Sequence, residues 1–229
     1  MRLCKILWFA LPVALLAQNG PQKPVVRASG EATVTVKPDR AEIDIGVVTE
    51  ARSAQEAAAS NARGTAAVLE KIKGLVAAAG SVRTVNYSLS PKYTYPQNAA
   101  PVIEGYTATN TVQVTADDLD LVGKLIDAST GAGSNSINGI RFTLKNDQAV
   151  RAEALRQAAQ AAKANAEAIA QSLGLQVTGI VSAESEGASG VVPLRQPMMM
   201  MAKAAAPTPV EAGTIEIHAS VTVTLAVAP

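Results

Sequence analysis

The sequence predicts an α+β protein in which an antiparallel or mixed sheet of about seven strands carries three helices. Two observations predict this class. The apolar period switches repeatedly between two and 3.6 residues along the chain, and Gly or Pro stands near many of the switches. Two consecutive strand–helix–strand units, at 42–90 and 106–144, also follow the order of a split βαβ arrangement. We expect the helices of such units on one face of the sheet.

Seven runs in which apolar and polar residues alternate predict the strands. They lie at 32–36, 43–47, 85–89, 106–114, 137–144, 177–183 and 215–227. The first run stops at Lys37-Pro38-Asp39, a sequence typical of a turn. Pro91 follows the third run, and because Pro cannot donate to a strand ladder, we expect that strand to break there.

Three apolar stripes at helical spacing predict the helices. The first begins at 53–56, which have capping-box spacing, and ends before Gly80. The second begins in the same way at 115–118 and ends at a Gly-rich turn. The third spans 147–173 and ends at Gly174. Its predicted core face consists mainly of alanine, at Val150, Ala154, Ala158, Ala161, Asn165, Ala168 and Ile169.

Residues 1–17 have the layout of a cleaved secretory signal. Basic residues precede an apolar run at 6–16, and the small Ala17 precedes a polar segment. The apolar run is too short for a hydrocarbon core of ~30 Å, so we expect cleavage after Ala17, with an uncleaved N-terminal tether as the alternative. A flexible leader at 18–27 and a single domain at 28–228 are predicted to follow.

Charge and cysteine content exclude several classes of function. The 229 residues include 20 Lys or Arg and 19 Asp or Glu, so the chain has no basic footprint for nucleic acid. Its one Cys, Cys4, would be removed with the signal, which would leave neither a disulfide framework nor thiol chemistry. We therefore expect no nucleic-acid partner and no thiol-based reaction.

No catalytic, cofactor-binding or metal-binding residue is predicted. His218, the one His, falls on the polar side of the last strand and has no partner at a recognisable ligand or catalytic spacing. The Gly-rich segment 129–133 follows a helix, whereas a phosphate cradle opens one. The sequence thus favours a protein that is not an enzyme and has no cofactor. An envelope hydrolase with a dispersed active site is the enzymatic alternative.

Four tyrosines form the first candidate interaction surface. They surround the predicted turn between Pro91 and Pro101, at Tyr87, Tyr93, Tyr95 and Tyr106. A stacking platform for nucleic acid would need basic residues among them, and Lys92 is the one that the turn supplies. The cluster is therefore interpreted as packing at a hairpin end or, alternatively, as an exposed interface in which Tyr93 and Tyr95 take part.

The second candidate surface lies in the segment 185–212, a Pro-, Met- and Ala-rich loop or arm without a period. Four consecutive methionines stand in it, at Met198, Met199, Met200 and Met201. Methionine is flexible and apolar and suits adaptable contact surfaces. We interpret the run as an arm that packs on a neighbouring subunit, a partner groove or a membrane, with a disordered linker as the alternative.

An ordered set of short motifs resembles the SIMPL-domain family of exported bacterial proteins, which includes periplasmic and outer-surface immunogenic antigens. The resemblance covers about residues 28–227. The motifs that carry it are Ala28-Ser29-Gly30-Glu31-Ala32-Thr33-Val34-Thr35-Val36-Lys37-Pro38-Asp39, Asn86-Tyr87-Ser88-Leu89-Ser90-Pro91 with Tyr93, Gly105-Tyr106-x-Ala108-x-Asn110-x-Val112, Gly139-Ile140-x-Phe142, Ala161-x-x-Ala164-x-Ala166-Glu167, and Pro209-x-Glu211-x-Gly213 before Val221-x-Val223.

The resemblance implies an exported, non-enzymatic α+β protein that can form large ring- or channel-like oligomers. It also implies a link to envelope, oxidative or other stress responses, and it carries over no catalytic residues. We accordingly expect a periplasmic homo-oligomer with further envelope proteins as partners. Association with the outer membrane and peripheral membrane contact are the alternatives that this expectation leaves open.

Overall fold

The structure is a computed structural model that describes residues 23–76, 80–97, 100–185, 189–193 and 208–229. The signal peptide predicted at 1–17 and the run Met198–Met201 lie outside these residues. The first strand begins at Val25, so it includes the last three residues of the predicted 18–27 leader.

Three helices and eight strands are present in the described part of the chain, which confirms the predicted α+β class. In chain order they are β1 (Val25–Val36), β2 (Arg40–Ala51), α1 (Ala54–Val76), β3 (Gly80–Thr94), β4 (Val102–Ala116), α2 (Leu121–Gly131), β5 (Ser136–Thr143), α3 (Gln148–Ser172), β6 (Gln176–Ser185), β7 (Ser189–Pro193) and β8 (Ile215–Ala228). The short β7 lies within the predicted 185–212 loop, where five residues are too few to show a period.

The strands divide between two four-stranded antiparallel sheets. The inner unit, residues 40–143, has the sheet order β3-β4-β2-β5 with α1 and α2 on one face. Strand β4 of the second strand–helix–strand unit lies between β2 and β3, the two strands of the first unit. Strand β2 of the first unit likewise lies between β4 and β5, the two strands of the second unit. This is an interleaved pair of split βαβ units, as the order of elements predicts.

The outer unit consists of β1, α3, β6, β7 and β8. Its central strand is β8, which pairs with β1 on one side and with β6 and then β7 on the other. In β8 the odd-numbered residues from Ile215 to Val227 are buried and His218 is exposed, in agreement with the predicted alternation. Ser29 and Thr222, whose hydroxyl oxygens lie 2.9 Å apart across the β1–β8 pair, are 193 residues apart in sequence.

Helix α3 packs on the outer sheet through a ridge of alanines. The fully buried residues of the helix recur every four positions, at Ala154, Ala158, Ala162, Ala166 and Ala170. Beneath the ridge lies Gly30 of β1, where an added Cβ would overlap the backbone nitrogen of Ala162 and lie 2.5 Å from the Ala158 carbonyl oxygen. Small residues on both elements therefore permit the backbones to approach closely.

The predicted core face of α3 is right at Ala154 and Ala158 and wrong further along, where Asn165, Ala168 and Ile169 are exposed. The helix packs by its ridge of residues four apart. A close helix–sheet approach leaves no room for a side chain as large as that of Ile169. Asn165 instead lies at the border and donates from Nδ2 to the Ser29 carbonyl at 2.9 Å.

The two units have separate hydrophobic cores, with no described residue common to both. The chain crosses between them at 37–39 and at 144–147. These crossings are bonded to each other, because the Asp39 N–H donates to the Thr143 carbonyl at 3.2 Å and the Lys145 N–H donates to Asp39 Oδ1 at 2.6 Å. The residues Asp39, Arg40, Asp117 and Lys145 form what we call the junction cluster.

Asp117 is the centre of the junction cluster. Its two carboxylate oxygens accept from Arg40 Nε at 2.7 Å and from Lys145 Nζ at 2.8 Å. These hydrogen bonds, that from Arg40 above all, lower the pKa of Asp117 from 3.8 to about 2. The predicted helix start at 115–118 is too early, because α2 begins at Leu121 and Asp117 serves the junction.

A third link between the units precedes β8. Thr208 donates its N–H to Asp127 Oδ2 at 3.2 Å and its hydroxyl to Asp127 Oδ1 at 2.6 Å. Val210 packs against the core of the inner unit. The chain therefore touches α2 before it returns to the outer sheet as its central strand.

Candidate functional site

The candidate site lies on the hairpin formed by β3 and β4. Each strand has 15 residues, and β3 is an edge strand of the inner sheet. The predicted break at Pro91 is wrong, since β3 continues through Pro91 to Thr94. An edge strand tolerates Pro because one side of its backbone has no neighbour to receive an N–H.

The strand register places four residues of β3 on the face that the helices cover. Tyr87 lies opposite Asn110, Leu89 opposite Ala108, Pro91 opposite Tyr106 and Tyr93 opposite Ile103. From Tyr106 onward the even-numbered residues of β4 share this face, since Ala108, Val112 and Val114 are buried on it, and the register shift at Tyr93 brings Ile103 to the same face. We call Tyr87, Leu89, Pro91 and Tyr93 the hairpin stripe.

Much of the hairpin stripe is exposed. Tyr87 is 53% exposed, Leu89 40% and Tyr93 46%, and Tyr95, just beyond the strand, is 76% exposed. None of these residues belongs to either hydrophobic core. The stripe therefore continues the apolar face of the inner sheet beyond the area that α1 and α2 cover.

On the same hairpin the structure exposes apolar residues other than Tyr93 and Tyr95. These are the exposed Val85, Leu89, Val102 and Ile103. Val85 and Leu89 lie in the predicted run 85–89, where the sequence assigns them to a strand and to no interface. Val102 and Ile103 precede the predicted fourth strand, so the length of the hairpin was underestimated.

A buried polar contact fixes the hairpin to the rest of the inner unit. Asn61 of α1 is fully buried, and its Nδ2 donates to the Val47 carbonyl at 2.7 Å and to the Ala108 carbonyl at 3.0 Å. One side chain thus connects the helix to β2 and to β4. The base of the hairpin is held in place while its outer strand remains open.

The opposite face of β3 is polar and mostly uncharged. Asn86, Ser88 and Ser90 lie on it and are exposed. Lys92, further along, donates to Glu50 Oε2 at 2.8 Å, and this carboxylate raises the pKa of Lys92. The strand is therefore amphipathic, with an apolar stripe on one face and neutral hydrogen-bonding groups on the other.

His218 lies on the polar face of the outer sheet, away from the hairpin. Its Nδ1 is 2.8 Å from the Thr33 hydroxyl, and its Nε2 is 3.7 Å from Glu216 Oε2. The imidazole is about half exposed, at 48%. These contacts are those of a strand residue hydrogen-bonded to its cross-strand neighbour.

The described residues, 23–76, 80–97, 100–185, 189–193 and 208–229, contain no group of three or more His, Cys, Asp or Glu side chains placed to hold a metal ion. No helix among them is long and apolar enough to cross a membrane.

The fold is that of an α+β protein with two hydrophobic cores. The inner unit, an interleaved pair of split βαβ units, is inserted in the chain between β1 and α3 of the outer unit. Residues 26–225 match the SIMPL family, described as a protein of unknown function (DUF541). The chain belongs to this family. The match confirms the resemblance seen in the ordered motifs.

Several relatives are similar over much of the chain. The 26 kDa periplasmic immunogenic protein of Brucella melitensis is 27% identical over 224 residues, which is 94% of this chain and 90% of the relative. The protein of the same name in Brucella abortus gives the same identity and coverage. The uncharacterised protein YggE of Edwardsiella ictaluri is 27% identical over 172 residues, 75% of this chain and 72% of the relative.

Proposed function

We propose that the chain is an exported, non-enzymatic protein of the periplasm that acts through protein–protein contacts and assembles with copies of itself. The observation that carries the proposal is the exposed hairpin stripe. A contiguous apolar surface on a folded protein, bordered by polar residues, is typical of an interaction site. Here the stripe lies on a sheet that the buried Asn61 contact fixes to α1 through β2 and β4.

Two observations support the periplasmic location. The sequence begins with the layout of a secretory signal. The Brucella relatives, similar over 94% of this chain, are named as periplasmic proteins. Recovery of the protein in an osmotic-shock fraction, with a mature first residue at Gln18, is the expected result.

Self-association is tested by multi-angle light scattering on residues 18–229. We expect an oligomer for the unchanged chain and a monomer for the triple variant Tyr87→Ser, Leu89→Ser, Tyr93→Ser, which removes most of the stripe. A matched control is Val177→Ser, Ile180→Ser, Val181→Ser, since these β6 residues are 40%, 67% and 58% exposed. The control should keep the oligomer. An unchanged chain that stays monomeric over the whole concentration range contradicts the proposal.

A role in envelope or oxidative stress is a finer part of the proposal and rests on the family resemblance. Its test is the growth of a deletion strain under peroxide and under an envelope-damaging detergent. Complementation with the unchanged gene should restore growth, and the stripe variant should not. Equal restoration of growth by the unchanged gene and by the stripe variant would mean that the stress role does not depend on the hairpin stripe.

A further inference from the structure

Among the described strands, β3 pairs with β4 on one side, and its other edge has no partner. An edge strand exposes N–H and C=O groups that can pair with a strand of another chain, and proteins blunt such edges with charges, Pro or bulges. Between Thr84 and Pro91, β3 contains no charged residue. Its side chains there are exposed on both faces.

The remaining edges of the described sheets are less suited to pairing. On β1, the apolar face is covered by α3 and the strand carries Arg27 and Glu31. Strand β5 is eight residues long and carries Arg141. Strand β6 has two register irregularities, between Val177 and Gly179 and between Ile180 and Ser182. Strand β7, the fourth other edge, has five residues. The pairing of β3 with β4 also shifts twice, between Thr84 and Asn86 and between Lys92 and Tyr93, but the stretch from Asn86 to Ser90 between these shifts is regular, uncharged and exposed.

Two features, one toward each end of β3, limit the stretch of its free edge that can form a regular hydrogen-bonded ladder. Its pairing with β4 shifts between Thr84 and Asn86, which leaves Val85 as an extra residue. At the other end Pro91 has no N–H to contribute to a ladder. The five residues from Asn86 to Ser90 therefore form the usable edge, and Ser88 is their midpoint.

We propose that two copies of this chain pair through β3, antiparallel and about a two-fold axis that passes beside Ser88. The inference rests on the proposed self-association and names its interface. In this register Ser88 lies opposite Ser88 of the second copy, and Tyr87 lies opposite Leu89 of the second copy. Both copies present the same face, so the two hairpin stripes join into one apolar surface on an eight-stranded sheet.

The side chains are compatible with this pairing. Aromatic–aliphatic pairs such as Tyr87 with Leu89 stabilise neighbouring strands, and Ser88 with Ser88 brings two hydroxyls within hydrogen-bonding reach. No like charges face each other within the ladder, because its five residues are neutral. The two-fold axis makes the contact isologous, so it closes after two copies.

Engineered cysteines test the register directly. The chain from residue 18 onward contains no Cys, since the single Cys of the sequence is Cys4. In the proposed pair the two Ser88 Cα atoms lie about 4.5–5.5 Å apart, within the range that a disulfide bridges. We expect Ser88→Cys to give mostly cross-linked dimer on mild oxidation.

Ser90→Cys is the matched control, because Ser90 is on the same strand and the same face. The two Ser90 residues of a pair would lie four strand positions apart, about 13 Å, which a disulfide cannot span. We expect Ser90→Cys to remain uncross-linked. Equal cross-linking of both variants, or none in Ser88→Cys while the unchanged chain self-associates, overturns the pairing.

A charge variant tests the interface without covalent chemistry. Ser88→Lys places two like charges directly opposite each other and should weaken dimerisation at least about fourfold. Ser81→Lys, on the same strand and face but outside the ladder, should leave the dissociation constant unchanged. An oligomer that persists equally in both variants overturns the β3 interface and leaves the proposed function standing. A monomeric unchanged chain, whose stripe then serves a different polypeptide, overturns both.

Discussion

Arg40 Nε lies 2.7 Å from Asp117 Oδ1, and this ion pair joins the first residue of the inner unit to the segment that leads into α2. Lys145, on the returning chain, holds the second carboxylate oxygen. One carboxylate therefore ties together the entry and the exit of the inserted unit. The two hydrophobic cores share no described residue.

The junction should depend on pH. Because the pKa of Asp117 falls from 3.8 to about 2 in the folded chain, its contribution is fully present above about pH 4 and is lost as pH falls through about 2. We expect Asp117→Asn to lower the melting temperature at pH 7, with the difference from the unchanged chain vanishing near pH 2. Asp118→Asn is the control. An equal difference at both pH values would contradict this assignment.

Gly30→Ala should destabilise the outer unit. The added Cβ would overlap the backbone of α3 at Ala162, so the helix must move away from the sheet. Overpacking of this kind costs about 1–3 kcal/mol, which urea unfolding followed by circular dichroism can measure.

Gly74→Ala provides the matched control for this prediction. Gly74 lies in α1 and has no atom within 4 Å of an added Cβ. An exposed helix position favours Ala over Gly by about 0.5–1 kcal/mol. The two substitutions should therefore shift the free energy of unfolding in opposite directions, and a shared direction would argue against the close approach of α3.

Asn61→Ala should loosen the base of the hairpin. The substitution removes the hydrogen bonds to the Val47 and Ala108 carbonyls inside the core and should cost about 1–3 kcal/mol. Amide hydrogen exchange should become faster in α1 and in the middle of β4. Gln55→Ala, an exposed change on the same helix, should leave exchange as it is. Unchanged protection in Asn61→Ala would show that the contact is dispensable.

Pro91→Val should extend the regular edge of β3. The substitution restores an N–H at a position where the present chain has none, and a longer apolar edge is prone to uncontrolled pairing. We expect turbidity and thioflavin fluorescence to rise with concentration in this variant. Lys92→Val, which removes the neighbouring charge without adding an N–H, separates the two effects. Aggregation of Lys92→Val without aggregation of Pro91→Val would mean that the charge, and not the Pro, protects the edge.

Strand β8 was predictable because one of its faces is buried and the other is solvated, which produces a period of two from Ile215 to Val227. Strand β3 was only partly predictable, since it is exposed on both faces and contains Pro91. The face of α3 was misplaced because alanines occupy so much of the helix that its pattern carries little contrast. The division into two sheets depends on the pairing of β1 with β8, which no local pattern encodes.

The residues of the candidate site also differ in how far a local sequence pattern predicts them. Tyr93 and Tyr95 were found because aromatic residues near a predicted turn are conspicuous. Leu89 became part of the surface only when the register placed it opposite Ala108, on the face that the helices cover, and 40% exposed. The interface role of these residues, and that of Met198–Met201 outside the described residues, stays a prediction.

The position of β8 at the centre of the outer sheet has a consequence for the order of folding. The inner unit holds all its strands and helices within residues 40–143, so it can acquire its core while later residues are still being made. Strands β1 and β6 share no hydrogen-bonded edge, because β8 separates them. Until residues 215–228 are in place, α3 can pack on β1, but the outer sheet lacks its central strand and the core of the outer unit stays incomplete.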